Sequence, residues 1–72
     1  MVLGVGAAAS RMRRYLTLRR LAAVRRELLR RGPDTSVTEV ATRWGFFHLG
    51  RFSQDYKALF GEMPSLTTRH LS

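Results

Sequence analysis

The sequence predicts an all-α fold, a small helical domain, and three observations carry that prediction. Residues 10–31 contain neither Gly nor Pro and are rich in Leu, Ala, Met and Arg, all good helix formers. Ser36 stands three residues before Glu39, the spacing of a capping box that starts a helix. Gly32, Gly45 and Gly61 each follow a run with apolar residues at three- and four-residue steps, which is where helices end. At 72 residues the chain suffices for one small domain and is too short for a second globular unit.

The first helix is expected over residues 10–31. Ser10 is its candidate N-cap, Gly32-Pro33 its stop, and Arg30 and Arg31 complement the C-terminal dipole. Tyr15, Leu18, Leu21 and Leu28, with Ala22 and Val24 beside them, form an apolar stripe between arginines that requires a partner surface. After a turn at Pro33-Asp34-Thr35, a second helix is expected over residues 37–44, burying Val37, Val40, Ala41 and Trp44 and ending at Gly45. Phe46 follows, and a third helix over residues 48–60 sets Leu49, Phe52, Tyr56, Leu59 and Phe60 on one side before Gly61 closes it. Residues 62–72 read as a tail with at most one helical turn from Ser65, and residues 1–9 as a disordered or vestigial N-terminus.

Charge supplies the first functional signal. Residues 1–31 hold nine Arg and a single acid, Glu27, whereas residues 32–72 hold four bases and four acids, so the whole formal charge of +8 lies in the first part. Twelve of the thirteen bases are Arg, whose planar fork pairs with two phosphate oxygens at once. The composition suits a polyanionic partner, a merely solvated helix face accounts for it equally well, and placement decides between them. The chain has no Cys, and His48 and His70 are too far apart for a local ligand pair, so neither a metal nor a cofactor is expected. The longest uncharged run, residues 1–10, is too short to span a bilayer and lacks the basic start of a signal peptide, which points to a soluble cytoplasmic protein. No phosphate-cradling Gly loop, activated nucleophile or paired carboxylates suggest an enzyme.

A short helix, a Gly-containing turn and an amphipathic second helix make the helix-turn-helix plan, whose second helix enters the major groove of duplex DNA. Residues 36–61 fit it. With Phe52 at the centre of the buried face, steps of about 100° per residue send Gly50, Gln54, Lys57 and Phe47 to the opposite side and Arg51 to its flank. Arg can bond guanine O6 and N7, Gln can bond adenine N6 and N7, and Gly lets the backbone approach the duplex.

The run VTEVATRWGFFHLGRFSQDYKALFGEMPS, Val37 to Ser65, resembles the second helix-turn-helix of AraC/XylS-type transcription regulators through Ala41, Gly45-Phe46, Phe52, Tyr56, Phe60-Gly61 and Pro64. YLTLRRLAAVRRELL, residues 15–29, is similar to that family's linker helix, and the GRF at residues 50–52 with FGEMPS is similar to one of its branches. The resemblance covers about residues 10–69 and implies a long linker helix plus a helix-turn-helix in a homeodomain-like three-helix arrangement. It implies base contacts from His48, Leu49, Gly50, Arg51 and Gln54, with Phe47 at the entrance. Phosphate contacts are implied for Ser53, Lys57 and the N-terminus of the Val37 helix, where Thr38 and Arg43 add to it; Arg19 and Arg20 are further phosphate candidates. Double-stranded DNA is the implied partner, RNA polymerase a further candidate, and the effector domain lies outside this chain. Only residues 1–14 precede the linker helix, so the family's first helix-turn-helix is expected to be missing or vestigial. Thr67-Thr68 stand where the family carries an aromatic.

Two structural alternatives accompany these assignments. His48 can act as a helix cap or plain surface residue, and Trp44, Phe46, Phe52, Tyr56 and Phe60 are expected in the core rather than as exposed stacking platforms. A competing function is a basic amphipathic helix over residues 11–31 that binds an anionic membrane or a partner's groove. It requires Leu18, Leu21 and Leu28 to be free. A third reading is a truncated, inactive regulator.

Overall fold

The computed structural model describes residues 2–70, with side chains over residues 11–69. It consists of α1 (Val2–Arg31), α2 (Val37–Arg43), α3 (Leu49–Phe60) and α4 (Pro64–Thr67), followed by a 3₁₀ turn at Thr68–His70. The fold is all-α, as the sequence predicts, with no strand among the described residues.

The helix ends follow from local chemistry where such chemistry exists. Gly32 takes φ +87° and its N–H bonds the Leu28 carbonyl at 3.0 Å, which closes α1. At the start of α2 the Ser36 hydroxyl accepts the Glu39 N–H at 3.2 Å, although the reciprocal half of the capping box does not form. Gly45, at φ +92°, donates to the Thr42 carbonyl at 3.0 Å while Phe46 N–H reaches Ala41 at 2.9 Å. This is a Schellman closure, and its left-handed residue is disfavoured for any side chain with a Cβ. His48 occupies the N-cap of α3 without a side-chain bond, so that helix begins one residue later than expected.

α1 differs more. It begins at Val2, and Ser10 lies inside it rather than capping it, so residues 2–9 continue the helix instead of forming a disordered N-terminus. Ala7, Ala8 and Ala9 favour propagation, and no Pro stops it. The projecting helix gives the molecule extents of 52 × 20 × 19 Å.

Leu21, Val24 and Leu28 of α1, Val40 and Ala41 of α2, and Phe52 and Tyr56 of α3 form one buried cluster, with Val37, Phe46 and Phe60 packed against it. The rings run in a chain, Phe46 to Phe52 at 5.0 Å, Phe52 to Tyr56 at 5.8 Å and Tyr56 to Phe60 at 4.7 Å between centroids. The Arg25 guanidinium covers the last ring at 5.4 Å.

Five expected core residues are exposed: Tyr15, Leu18, Trp44, Leu49 and Leu59. Tyr15 and Leu18 lie on the part of α1 that projects past the buried residues beginning at Leu21. Leu59 and Leu18 face each other across an open groove. Leu49 sits in the first turn of α3, at the rim, and Trp44 is drawn out of the core by a hydrogen bond described below. The tail is better ordered than expected. α4 starts at Pro64, a residue suited to the first helical position. Thr67 is fully buried: its hydroxyl lies 2.7 Å from the Tyr56 hydroxyl and donates to the Glu62 carboxylate, so the phenol is the donor in the first bond. Burial pushes the Tyr56 phenol above its ordinary range, which keeps that proton in place.

Candidate nucleic-acid interface

The buried side of α3 is set by Phe52 and Tyr56, which hold the helix against α1 and α2. Helical geometry then turns Gly50, Gln54 and Lys57 away from the core, and all three are exposed. Around Gly50, apart from its two chain neighbours and the helix's own backbone, no atom lies within 4 Å of where a Cβ would stand, so this stretch of helix surface is open. His48 and Leu49 are exposed at the helix start, and Ser53 is half-buried on one flank.

Arg51 occupies the other flank. Its side chain is 83% exposed, with Nε 4.0 Å from Asp55 Oδ2 one turn later. It borders a groove of about 530 Å³ whose walls are Leu18 and Leu21 of α1 and Ala58 and Leu59 of α3. Arg51 therefore stands at the edge of the polar face, on the side toward α1.

A second polar centre joins α2 to α1. Glu27, only 6% exposed, accepts the Trp44 indole N–H at 2.9 Å, pairs with Arg31 Nε at 3.0 Å and also binds Arg43. Burial pushes this carboxyl up, but the Trp44 indole N–H and the Arg43 and Arg31 guanidiniums outweigh burial and hold it below the ordinary carboxylate value. It is an anion clamped by groups from both helices.

A family profile described as "Helix-turn-helix domain" matches residues 8–70. The chain belongs to the AraC/XylS-type helix-turn-helix family. It is 49% identical over 53 residues to a Rhodococcus erythropolis protein named "Probable thc operon regulatory protein", a match covering 72% of this chain and 16% of that protein. It is 45% identical over 56 residues to XylDLEGF operon transcriptional activator 1 of Pseudomonas putida, covering 76% of this chain and 17% of the activator. XylDLEGF operon transcriptional activator 2 of the same organism is 48% identical over 56 residues, covering 74% of this chain and 34% of the relative. The chain thus spans about a sixth of the length of the first two relatives. No solved structure matches it. The family is one of DNA-binding transcription regulators.

Within this helix-turn-helix, Gly50, Gln54 and Lys57 share the outward face of α3, Arg51 and Ser53 stand on its two flanks, and His48 and Leu49 are exposed at its start. Thr38 is exposed in the first turn of α2, beside the free N–H groups of that helix. Arg43 stands at the opposite end of α2, turned to Glu27 on α1. Arg20 lies by the turn, its Nη1 3.8 Å from the Cβ position of Gly45, whereas Arg19 is directed toward the Tyr15 ring on the far side of α1 at 5.9 Å. The clamp at Glu27 was missed as a site from sequence alone. Its signal was there: one acid among nine arginines needs a reason. Among the described residues no group of three His, Cys, Asp or Glu could hold a metal ion, and no helix is long and apolar enough to cross a membrane.

Proposed function

We propose that the chain binds a specific double-stranded DNA sequence by laying α3 in the major groove. The observation that carries this is the composition of the exposed face of α3, Gly50, Gln54 and Lys57 flanked by Arg51, opposite the buried Phe52 and Tyr56. Gln54 and Arg51 supply bidentate base contacts, His48 and Leu49 line the groove entrance, and Gly50 admits close approach of the backbone. Thr38, Ser53, Lys57 and Arg20 bind phosphates and set register. Arg43 acts with them chiefly by fixing α2 on α1 through Glu27. Arg19 faces away and contributes through long-range charge. The names of the Pseudomonas relatives extend the reading to transcriptional activation, and we further infer that the chain meets RNA polymerase at a promoter, works in the cytoplasm and performs no catalysis. Against the competing membrane reading, Leu21 and Leu28, two of the three leucines it needs, are buried in the core.

Titration of the chain against random and selected duplexes at two salt concentrations tests the proposal. One helix-turn-helix with a basic helix neutralises about four to six phosphates, which gives a log–log salt slope of roughly −4 to −5. Arg51→Ala should relax preference at one base pair and leave affinity for random DNA nearly intact, whereas Lys57→Ala should weaken all duplexes alike. Equal loss of specific and non-specific binding in the Arg51 variant would make Arg51 a phosphate contact and defeat the groove-reading assignment.

A further inference from the structure

We propose that Phe47 reads the 5-methyl group of a thymine at the edge of the DNA site, a specificity contact that rests on the DNA-binding reading above. Phe46 and Phe47 are neighbours with opposite fates. The left-handed Gly45 and the Phe46 N–H bond to Ala41 turn Phe46 inward, where its ring meets Phe52 at 5.0 Å. Phe47 is 73% exposed, more than any other large hydrophobic side chain among the described residues, and makes no ring contact among them. Six of the other nine exposed large apolar residues have a local account. Trp44 bonds Glu27, Leu18 and Leu59 border the groove beside α1, and Met12, Tyr15 and Leu16 lie on the projecting helix.

Phe47 stands two residues before α3, at the end of the recognition helix whose side chains meet base edges in this docking mode. The thymine methyl is the apolar feature that a major groove presents, and every other edge group there donates or accepts hydrogen bonds. A phenyl ring can do neither, so beside His48, Gly50 and Gln54 it discriminates by covering a methyl. That selects T·A over the cytosine that lacks one. Wedging between base steps is the alternative for an exposed ring, and it belongs to minor-groove binders.

The test replaces each thymine of the selected duplex in turn by uracil, which deletes the methyl and nothing else. One position is expected at which uracil weakens wild-type binding roughly four-fold, the value of burying one methyl-sized group. Phe47→Ala should bind thymine and uracil equally there, while Lys57→Ala keeps the preference, and 5-methylcytosine should recover part of the loss that cytosine causes at that position. Because the ring is exposed, Phe47→Ala should melt with the wild type. A wild type indifferent to uracil everywhere, or a Phe47→Ala variant with its uracil sensitivity intact, overturns the proposal. So does an unstacked base step reported by 2-aminopurine fluorescence, which would make the ring a wedge. Wild-type chain that binds selected and random duplexes equally would instead overturn the DNA reading on which this one stands.

Discussion

Replacing Glu27 by Gln probes the clamp between α1 and α2 without changing its shape. Gln keeps a carbonyl for the Trp44 indole N–H, now 2.9 Å from the carboxylate, and withdraws the negative charge from Arg31 and Arg43. Both guanidiniums are nearly half exposed, at 45% and 47%, so water screens them, and each pair belongs near the surface range of about 0.2–1 kcal/mol rather than the buried one. The indole bond falls from charge-assisted to neutral, a further loss of about 1 kcal/mol. A total near 2 kcal/mol corresponds to a drop in Tm of about 8–16 °C for a domain of this size. Thermal and urea unfolding followed by circular dichroism reads it, with an unchanged urea slope showing that both proteins unfold to the same state. Acid supplies a second arm. The folded carboxyl is held below its unfolded value, so its stabilisation is complete above the ordinary Glu range, about pH 4–5, and is lost as pH falls through the folded value. The gap between wild type and Glu27→Gln should therefore narrow on acidification. A variant that melts within about 1 °C of wild type at pH 7, or a gap that stays constant into acid, would refute the clamp.

Phe52→Ala removes the ring at the centre of the aromatic chain and should cost about 3–5 kcal/mol, close to all that so small a domain has, so loss of the helical circular dichroism signal at 25 °C is expected. Tyr56→Phe deletes only the hydroxyl that donates to Thr67 and should cost about 1–2 kcal/mol, with hydrogen exchange rising first in residues 64–70. Arg20→Ala should lower the magnitude of the DNA salt slope by about 1, whereas Arg19→Ala, whose guanidinium points to the far side of α1, should leave it nearly unchanged.

What could be read in advance divides along a physical line. Ser36, Gly32, Gly45 and Gly61 mark helix ends through bonds and dihedrals confined to a few neighbouring residues, and each stands where its type predicts. Ser10 has the same chemistry, yet a cap is needed only where a helix ends, and the alanines before it continue the helix. Trp44 shares the three- and four-residue step of Val37, Val40 and Ala41, but its indole N–H requires an acceptor and finds one 17 residues away. No local period reveals that pairing, and the same partner takes Arg43. Tyr15 and Leu18 repeat as faithfully as Leu21 and Leu28; what separates them is how far along α1 the other helices reach. On the candidate site, the register of α3 followed from Phe52 and Tyr56, so its outward face was legible to the residue. The lean of Arg51 toward Asp55 uses an i,i+4 spacing present in the sequence, whereas the turn of Arg43 toward α1 depends on a neighbour in space. Thr67 was legible least, because a threonine in a polar tail gives no hint that its hydroxyl will be buried between a phenol and a carboxylate.

The open surroundings of Gly50 bear on how readily this protein could acquire a new target. Gly50 stands in the first turn of α3, and nothing in the fold requires a glycine there, since beyond the helix's own backbone and its two chain neighbours no atom lies within 4 Å of the missing side chain and φ is not positive. Any residue accepted by a helix can therefore be installed at this position with folding unharmed. Position 50 is a programmable slot at the leading end of the reading surface: a library randomised there alone would sample recognition directly, with stability removed as a confounding variable, and the survivors would report what the duplex itself tolerates.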